Sequence, residues 1–308
     1  MRVGFIGLGT MGASMALNVR AAGYDIVVND IRREAAALHL QAGASWGDSA
    51  RTVAKSADVV FTSLPGPREV EAVALAEDGL LSGMGAGTAW FDLSTNSPSV
   101  VRRLHEVFRA KGVAMLDAPV SGGPAGARSR KLALWVSGDK AAFDRHKPVL
   151  DAIGDEPMYV GPIGAGTVAK LAHNAAGYAI LAALAEVFTL GVKAGVEPLA
   201  LWEALRQGAT GRARTFDRLA DQFLPHLFDP PAFTLKLAHK DLTLATELGR
   251  ELNIPLRIAA LVHEELTEAL NRGWAGRDSR VFMLLQEERA GVSIAVPKEE
   301  VQKALARG

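Results

Sequence analysis

Apolar residues in the first half of the chain are clustered in short runs, separated by longer stretches of mixed polarity. Helical stretches of ten or more residues lie between several of the runs, an alternation typical of an α/β sheet. Most runs are apolar throughout, as expected of parallel strands that are covered on both faces. The runs predict six strands, at Arg2–Ile6, Asp25–Asn29, Val59–Ser63, Ala89–Asp92, Ala114–Ala118 and Leu132–Ser137.

The pattern changes near residue 162, where the strand-like runs stop. A proline-free apolar stretch from Ile163 to Gly195 predicts one long helix of roughly 50 Å, at about 1.5 Å per residue. The charged tail after Pro297 is expected to be loosely ordered. The sequence therefore predicts an α/β N-terminal domain, residues 1–162, and an all-α C-terminal domain, residues 163–308, joined by the long helix. The other predicted helices are Pro198–Gln207, Thr215–Phe223, Leu235–Glu251, Ile258–Arg272 and Asp278–Ala290.

The composition excludes several kinds of site. Lys plus Arg and Asp plus Glu both number 34, so the formal net charge of zero predicts binding to neither nucleic acid nor an anionic membrane. The sequence has no cysteine, which rules out thiolate metal ligands and cysteine nucleophiles, and it shows no cluster of metal ligands. Because it shows neither a secretory signal nor an uninterrupted apolar stretch of about 18 residues, we expect a cytoplasmic protein.

A glycine-rich turn follows the first predicted strand and opens a predicted helix. In such a turn the first glycine permits a tight bend, the second lets the backbone approach a pyrophosphate, and the third lets the helix pack on the strand. The alternative is a glycine-rich turn without a ligand. The position of the glycine-rich turn ahead of a βαβ unit favours dinucleotide binding. The residues concerned are Gly7, Leu8, Gly9, Thr10, Met11 and Gly12.

The second predicted strand ends at Asn29 and is followed by Asp30. Asp30 lies 18 residues after Gly12, near the spacing at which a carboxylate binds the adenosine ribose. A 2′-phosphate about 4 Å from this carboxylate would be repelled by about 4 kcal/mol at an effective dielectric of about 20. Arg32 and Arg33 favour a 2′-phosphate instead, unless they are solvated residues of the next helix. The alternative role of Asp30 is a plain helix N-cap. We predict NAD rather than NADP.

The later strand ends should complete the cofactor groove, since ligands of such sheets bind beyond the carboxyl ends of the strands. Leu64 and Pro65 follow the third predicted strand, and Thr95 follows the fourth. Ordinary turn chemistry is the alternative for each of them. Their shared position at one sheet edge favours contact with the dinucleotide.

Two further segments carry candidate chemistry. Ser121, Gly122 and Gly123 lie in a strand-end turn whose backbone amides and hydroxyl suit a carboxylate, with a plain turn as the alternative. Lys170 and Asn174 are four residues apart on the long helix, so they share one face. A lysine in an apolar segment is costly to bury without a partner or a task, and its proton suits acid–base chemistry; the alternative is that it reaches solvent.

The sequence resembles the β-hydroxyacid dehydrogenase family, which includes 3-hydroxyisobutyrate dehydrogenase and tartronate semialdehyde reductase and is related to 6-phosphogluconate dehydrogenase. The resemblance extends from about residue 2 to residue 292. Four motifs in the same order carry it, namely GLGTMGASMALN at 7–18, DAPVSGGPAGA at 117–127, GAGTVAKLAHN at 164–174 and KDLTLA at 240–245.

The resemblance implies a Rossmann-like N-terminal domain and a helical C-terminal domain that mediates a homodimer or homotetramer. It implies hydride transfer between NAD and a small carboxylate-bearing β-hydroxy acid or semialdehyde, with Lys170 as general acid/base and Asn174 orienting the substrate. Ser121–Gly123 would bind the substrate carboxylate. Lys240 would close the cleft over cofactor and substrate.

Two alternatives to a 3-hydroxyisobutyrate-like dehydrogenase stay open at this point. One is an NAD(P)H-dependent reductase of tartronate or succinic semialdehyde, and the other is a dinucleotide-sensing protein without catalysis, against which the retained Lys170 and Asn174 argue. The sequence departs from the family pattern at His173, Arg130–Lys131 and Trp135. These departures bear on the substrate rather than on the reaction class.

Overall fold

A computed structural model describes residues 1–155, 157–193, 195–208, 211–213, 219–251 and 256–306. The chain divides into two compact units, Met1–Ala172 and His173–Gly308. The helix predicted over residues 163–195 is observed over Ala165–Lys193. The division between the compact units falls inside this helix, whereas the sequence places the domain boundary just before it.

The first unit is built on a sheet whose strand order is β3-β2-β1-β4-β5-β6-β8-β7, with β9 paired to β8. Strands β1 to β6 all pair in parallel, which confirms the predicted α/β architecture. Within the described residues the sheet has nine strands: β1 (Arg2–Ile6), β2 (Asp25–Asn29), β3 (Ser45–Trp46), β4 (Val59–Thr62), β5 (Ala89–Asp92), β6 (Ala114–Asp117), β7 (Val120–Ser121), β8 (Ala133–Ser137) and β9 (Met158–Gly161).

The sixth predicted strand, β8, runs antiparallel to β6 and β7. A parallel crossover needs a connection long enough to pass over the sheet. Here the chain between β6 and β8 is used by β7 and by the short helix Gly123–Ser129, which the sequence analysis treats as loop. The chain therefore turns back beside β6 instead of crossing over the sheet.

Helices cover both faces of the sheet, because alternate strand residues point to opposite sides. Phe5, Phe61 and Phe91 pack on the face covered by α1 and α8. Trp90 and Met115 pack on the face covered by α3, α4 and α6. The helices of this unit are α1 (Gly12–Ala21), α2 (Ala37–Gln41), α3 (Ala50–Ser56), α4 (Pro67–Leu75), α5 (Leu80–Gly83), α6 (Pro98–Arg109), α7 (Gly123–Ser129) and α8 (Lys140–Ile153), with a 3-10 turn at Arg33–Ala36.

The regular elements described in the second unit are all helices, as predicted. Its core contains large side chains from several helices, among them Phe188, Trp202 and Leu266, all fully buried. Burial of each such side chain is worth about 1.5–3 kcal/mol. The long helix α9 (Ala165–Lys193) enters this unit, and the others are α10 (Pro198–Gln207), α11 (Leu235–Glu251), α12 (Arg257–Asn271), α13 (Leu284–Ala290) and α14 (Lys298–Ala306), with 3-10 turns at Gly211–Ala213 and Ser279–Met283.

The structure of the second unit differs from the sequence prediction in two segments. The predicted helix Thr215–Phe223 begins outside the described residues, and its last part, 219–223, forms turns rather than an α-helix. The tail after Pro297 is not loosely ordered, because it forms α14 and buries Val301 and Ala304 in the core. Two small apolar residues three apart are enough to anchor a helical turn on an existing core.

Between Ala165 and Ala185 the helix α9 is long enough and apolar enough to cross a membrane, and 28% of that stretch is buried. A core helix of a water-soluble protein passes the same test. Lys170, His173 and Asn174 interrupt the apolar run. Ile180 is 44% exposed, whereas Leu171, on another face, is buried.

Two histidines connect α11 and α12. His239 Nε2 lies 2.9 Å from the hydroxyl of Thr267, and His263 Nε2 lies 2.8 Å from the hydroxyl of Thr243. Their ring centroids are 4.3 Å apart. Burial lowers the pKa of each imidazole. The neighbouring His263 lowers the pKa of His239 further, and Arg250 lowers the pKa of His263 further.

We expect acid to destabilise this pair. In the folded protein the pKa of each imidazole lies below the usual 6.5. The two neutral histidines therefore stabilise the fold above pH 6.5, and this contribution is lost as the pH falls from there through the folded pKa values. Urea unfolding at about pH 7.5 and about pH 5.5 should therefore show a smaller loss of unfolding free energy in the His239→Gln, His263→Gln double variant than in the parent protein. An equal loss in both proteins would contradict this.

Candidate active site

The glycine-rich turn between β1 and α1 has the shape that a pyrophosphate site requires. Gly7 has a φ of +94°, and a Cβ there would lie 2.2 Å from the carbonyl oxygen of Ser63. A Cβ on Gly12 would lie 1.9 Å from the carbonyl oxygen of Gly7. By contrast, nothing lies within 4 Å of a Cβ built on Gly9. The first and third glycines are thus fixed by packing, while a Cβ on the second would meet open space.

The carboxylate of Asp30 is tied to this turn. It accepts a hydrogen bond of 2.7 Å from the amide of Leu8 and one of 2.9 Å from the amide of Arg32. Asn29, just before it, donates to the carbonyl oxygen of Gly47 and accepts from the amide of Gly7. The Arg32 guanidinium is 3.9 Å from Asp30 and largely exposed. Asp30 is therefore a buried carboxylate at the end of β2, and it does not cap a helix as the alternative proposed.

Arg33 is engaged away from Asp30. Its guanidinium lies 5.3 Å from the centre of the Trp46 ring and 3.8 Å from the carboxylate of Asp48. The residue after Asp30, Ile31, is fully exposed, and the sequence analysis did not single it out. An exposed isoleucine at the end of β2 offers an apolar surface for a planar ring.

Asp92 organises the loops that follow β4 and β5. It is fully buried and accepts hydrogen bonds from Thr62 Oγ1 at 2.9 Å, Asn96 Nδ2 at 2.8 Å and the amide of Ser94 at 3.1 Å. Ser94 Oγ in turn accepts a 2.9 Å bond from the amide of Leu64. Burial raises the pKa of Asp92, although these hydrogen bonds oppose the rise. The network brings the predicted cofactor segments Leu64–Pro65 and Thr95 to the same sheet edge.

The predicted carboxylate-binding turn is open. Ser121 ends β7, Gly122 has a φ of +135°, and Gly123 has a φ of +62° with nothing within 4 Å of a built Cβ. Both glycines are exposed, so their backbone is accessible. The side chain of Asn18 on α1 donates a 2.7 Å bond to the carbonyl oxygen of Ala127 on α7, which fixes this turn relative to the helix that starts at the glycine-rich loop.

Lys170 lies in the second turn of α9 and is half-buried. The first turn of that helix contacts the sheet so closely that a Cβ on Gly166 would lie 2.2 Å from the carbonyl oxygen of Trp135. Gly166 and Lys170 are four residues apart and share one helix face. The lysine therefore stands one turn along the helix from its contact with the sheet.

In the second unit, Asp241 holds two predicted site residues together. It is 2% exposed, and its carboxylate accepts a 2.6 Å bond from Asn174 Nδ2 and forms a 2.8 Å ion pair with Lys240 Nζ. Asn174 and Lys240 are predicted from the sequence as functional residues, and Asp241 is not. The signal was available, since a carboxylate in the middle of an amphipathic helix is costly to bury without partners.

A cavity of about 130 Å³ lies next to Asn174 in this unit. It has room for about four water-sized groups. Burial, followed by the charge of Asp241, raises the pKa of Tyr178, so its hydroxyl stays protonated and can donate. The guanidinium of Arg280 is paired with Asp278 at 3.1 Å, which neutralises its charge. The lining residues are His173, Asn174, Gly177, Tyr178, Leu181, Phe233, Ser279 and Arg280.

Comparison with known proteins agrees with this arrangement. Residues 2–161 match the family model described as the NAD binding domain of 6-phosphogluconate dehydrogenase. Residues 164–285 match the model described as NAD-binding of NADP-dependent 3-hydroxyisobutyrate dehydrogenase. The two matches meet at the start of α9.

Individual proteins match over nearly their whole length. The chain is 34% identical to 2-(hydroxymethyl)glutarate dehydrogenase of Eubacterium barkeri over 96% of this chain and 98% of that protein. It is 32% identical to 2-hydroxy-3-oxopropionate reductase of Escherichia coli over 96% of this chain and 100% of that protein. The crystal structure of 3-hydroxyisobutyrate dehydrogenase of Mycobacterium tuberculosis with L-serine superposes with a TM-score of 0.83 at 29% identity, covering 92% of this chain and 98% of that one.

The three glycines of the turn separate folding from binding. We expect Gly9→Ala to leave the melting temperature unchanged, because its Cβ enters open space. If the dinucleotide fills that space, as the sequence predicts, the Kd for NADH should rise about tenfold or more. Gly12→Ala should lower the melting temperature instead, since its Cβ would overlap a backbone oxygen.

Fluorescence titration with NADH and thermal melts measure the two effects. Gly85→Ala is the matched control, because a Cβ there also meets nothing within 4 Å. An unchanged Kd in the Gly9→Ala variant would show that this turn does not hold the cofactor.

Proposed function

Since the chain belongs to the β-hydroxyacid dehydrogenase family and is an NAD-dependent oxidoreductase of CH–OH donors, we propose that Lys170 is its general acid/base. The observation that carries the proposal is the placement of this lysine on α9. It stands half-buried one turn beyond a glycine that packs directly on the sheet backbone. A general base must be held in place by a rigid scaffold, and this helix start supplies one.

The proposed chemistry assigns one task to each segment. When NAD is bound, its nicotinamide accepts the hydride that leaves the hydroxyl-bearing carbon. Lys170 Nζ accepts the hydroxyl proton in oxidation and returns a proton to the forming alkoxide oxygen in reduction. Ser121, Gly122 and Gly123 bind the substrate carboxylate through the Ser121 hydroxyl and backbone amides. Asn174 orients the substrate, and Lys240 contacts both the cofactor and the substrate, with Asp241 fixing the two side chains.

The cofactor would be held by the turn between β1 and α1 and by the loops that Asp92 organises. Gly7–Gly12 would bind the pyrophosphate, Asp30 would bind the ribose hydroxyls, and Leu64, Pro65 and Thr95 would line the groove. We propose NAD over NADP, because Asp30 places a carboxylate where a 2′-phosphate would bind and Arg33 is engaged with Trp46 and Asp48.

The substrate we propose is a short hydroxy acid of the 3-hydroxyisobutyrate type. The cavity beside Asn174 is small, and the charge of Arg280 is already matched by Asp278, so the cavity does not require a second carboxylate. The similarity to 2-hydroxy-3-oxopropionate reductase supports a second candidate, reduction of a semialdehyde with NAD(P)H. Phe233 is among the residues that line this cavity.

For the compartment we propose the cytoplasm, although relatives include proteins described as mitochondrial.

Lys170→Ala should abolish turnover while leaving NADH binding intact. The control is Lys236→Ala, an exposed lysine on α11 outside the proposed site. The assay is NADH absorbance with 3-hydroxyisobutyrate, L-serine and 2-(hydroxymethyl)glutarate, and NADH or NADPH consumption with tartronate semialdehyde. We expect a rate loss of about 100-fold or more, the usual contribution of general acid–base catalysis. Normal turnover in a folded Lys170→Ala variant would refute the proposal.

We also propose a homo-oligomer formed through the second unit. Ile180 on α9 is 44% exposed, and Ile258 and Leu261 on α12 are 54% and 46% exposed. The two helices are neighbours, since Ala182 and Leu261 line one small cavity. Exposed apolar side chains on neighbouring helices are typical of a face that binds a second copy.

Ile180→Asp should shift the protein towards the monomer, because the interface would have to bury an unpaired carboxylate. Light scattering coupled to size-exclusion chromatography measures the mass. Leu38→Asp is the control, an equally drastic change at a 64% exposed leucine of the first unit. If the Ile180→Asp mass equals that of the control and the parent, this face is not the interface.

A further inference from the structure

We propose that Asp117 is the positioning residue for Lys170: its buried carboxylate fixes the first turn of α9 and so sets where the lysine stands. The inference rests on the proposed role of Lys170. Asp117 is the last residue of β6 and is 1% exposed. It is the first residue of the motif DAPVSGGPAGA, and the sequence predicts no role for it.

The carboxylate accepts hydrogen bonds from both ends of the first helical turn. Oδ1 accepts from the amide of Gly164 at 2.8 Å and from the hydroxyl of Ser137. Oδ2 accepts from the amide of Thr167 at 2.6 Å and from its hydroxyl at 2.8 Å. Ser137 Oγ then accepts from the amide of Gly166 at 2.9 Å. One carboxylate thus satisfies, directly or through Ser137, three amides that a helix start would otherwise leave without partners.

The first turn of α9 packs directly against the sheet, with no side chain between the two backbones. A Cβ on Gly166 would lie 2.2 Å from the carbonyl oxygen of Trp135 and 3.2 Å from that of Asp117. Gly164 has a φ of +89°, which suits the bend into the helix. Because Gly166 and Lys170 share one helix face, any slip of this turn moves the lysine as well.

The donors around Asp117 suit a carboxylate better than the amide of an asparagine. Its bonding donors are backbone amides and hydroxyls, and its negative charge faces the positive end of a helix of 29 residues. An asparagine has the same shape but offers only one acceptor oxygen. It would therefore lose either the Gly164 and Ser137 bonds or the Thr167 bonds.

The neighbouring strand provides a matched comparison. Asp92 ends β5 and pairs in register with Asp117. It is also fully buried and also accepts from backbone and side-chain donors, but its bonds lead to Ser94 and Asn96 in the loop predicted to contact the cofactor. The two carboxylates at the same level of the sheet therefore serve different segments, Asp92 the cofactor loops and Asp117 the lysine helix.

The test compares Asp117→Asn with Asp92→Asn. Asp117→Asn should lower kcat about 100-fold, the cost of a small misplacement of a reacting group, while the Kd for NADH changes less than about twofold. Asp92→Asn should do the reverse and raise the Kd for NADH more than it lowers kcat. Both variants lose a buried hydrogen-bond network, so both should melt earlier. A purely structural role would give the same kinetic pattern in both, and that outcome would overturn the inference.

Hydrogen exchange locates the change without an assay of turnover. Asp117→Asn should lose amide protection at 164–168, and Asp92→Asn should keep it there. If protection is lost but kcat is normal, the inference is wrong. If Lys170→Ala itself turns over normally, the proposed function is wrong, whatever the exchange shows.

Thr167→Val covers the case in which Asp117→Asn does not fold. It removes one hydroxyl donor to Asp117 and keeps the shape of the side chain. We expect a several-fold loss of kcat with an unchanged Kd for NADH, in keeping with one lost hydrogen bond. Unchanged kcat in this variant, together with weakened protection at 164–168, would also overturn the inference.

Discussion

The carboxylate of Asp117 accepts hydrogen bonds from the first turn of α9, and the place of Lys170 depends on that turn. Without it, three amides at the helix start would be buried without partners, and the helix would have no fixed start against the sheet. The close approach at Gly166 adds a steric constraint to the electrostatic one. Catalysis by a lysine on a helix is physically reasonable here because the helix start is fixed to β6 and β8.

Buried carboxylates recur at each segment of the site. Asp30 holds the glycine-rich turn through Leu8, Asp92 holds the loops after β4 and β5, and Asp241 holds Asn174 and Lys240 in the second unit. In each case the carboxylate has at least two polar partners, so the cost of burying its charge is offset. Acidic side chains thus fix the backbone and side chains that we propose to bind the ligands, and the proposed acid–base chemistry is assigned to a lysine.

The sequence was sufficient for the parallel strands β1, β2, β4, β5 and β6, the long helix and the helical character of the second unit, because their periodicity and apolar runs are strong. It did not predict the antiparallel direction of β8, since the short helix α7 reads as a glycine-rich loop, and it missed the short strands β3, β7 and β9. It also missed α14, whose anchoring by Val301 and Ala304 needs a core that no local pattern shows. The predicted ligand-contacting residues came from spacing and motif resemblance. Asp92, Asp117 and Asp241 were missed, because the value of a buried carboxylate depends on donors distant in sequence.

A crystal structure of the protein with NAD and a turned-over hydroxy acid would locate the lysine directly. If Lys170 is the general acid/base, its Nζ lies within about 2.6–3.2 Å of the substrate hydroxyl oxygen, or one water away, while Ser121–Gly123 contact the carboxylate. A Lys170 Nζ in bulk solvent, remote from both the hydroxyl oxygen and the nicotinamide, would contradict it.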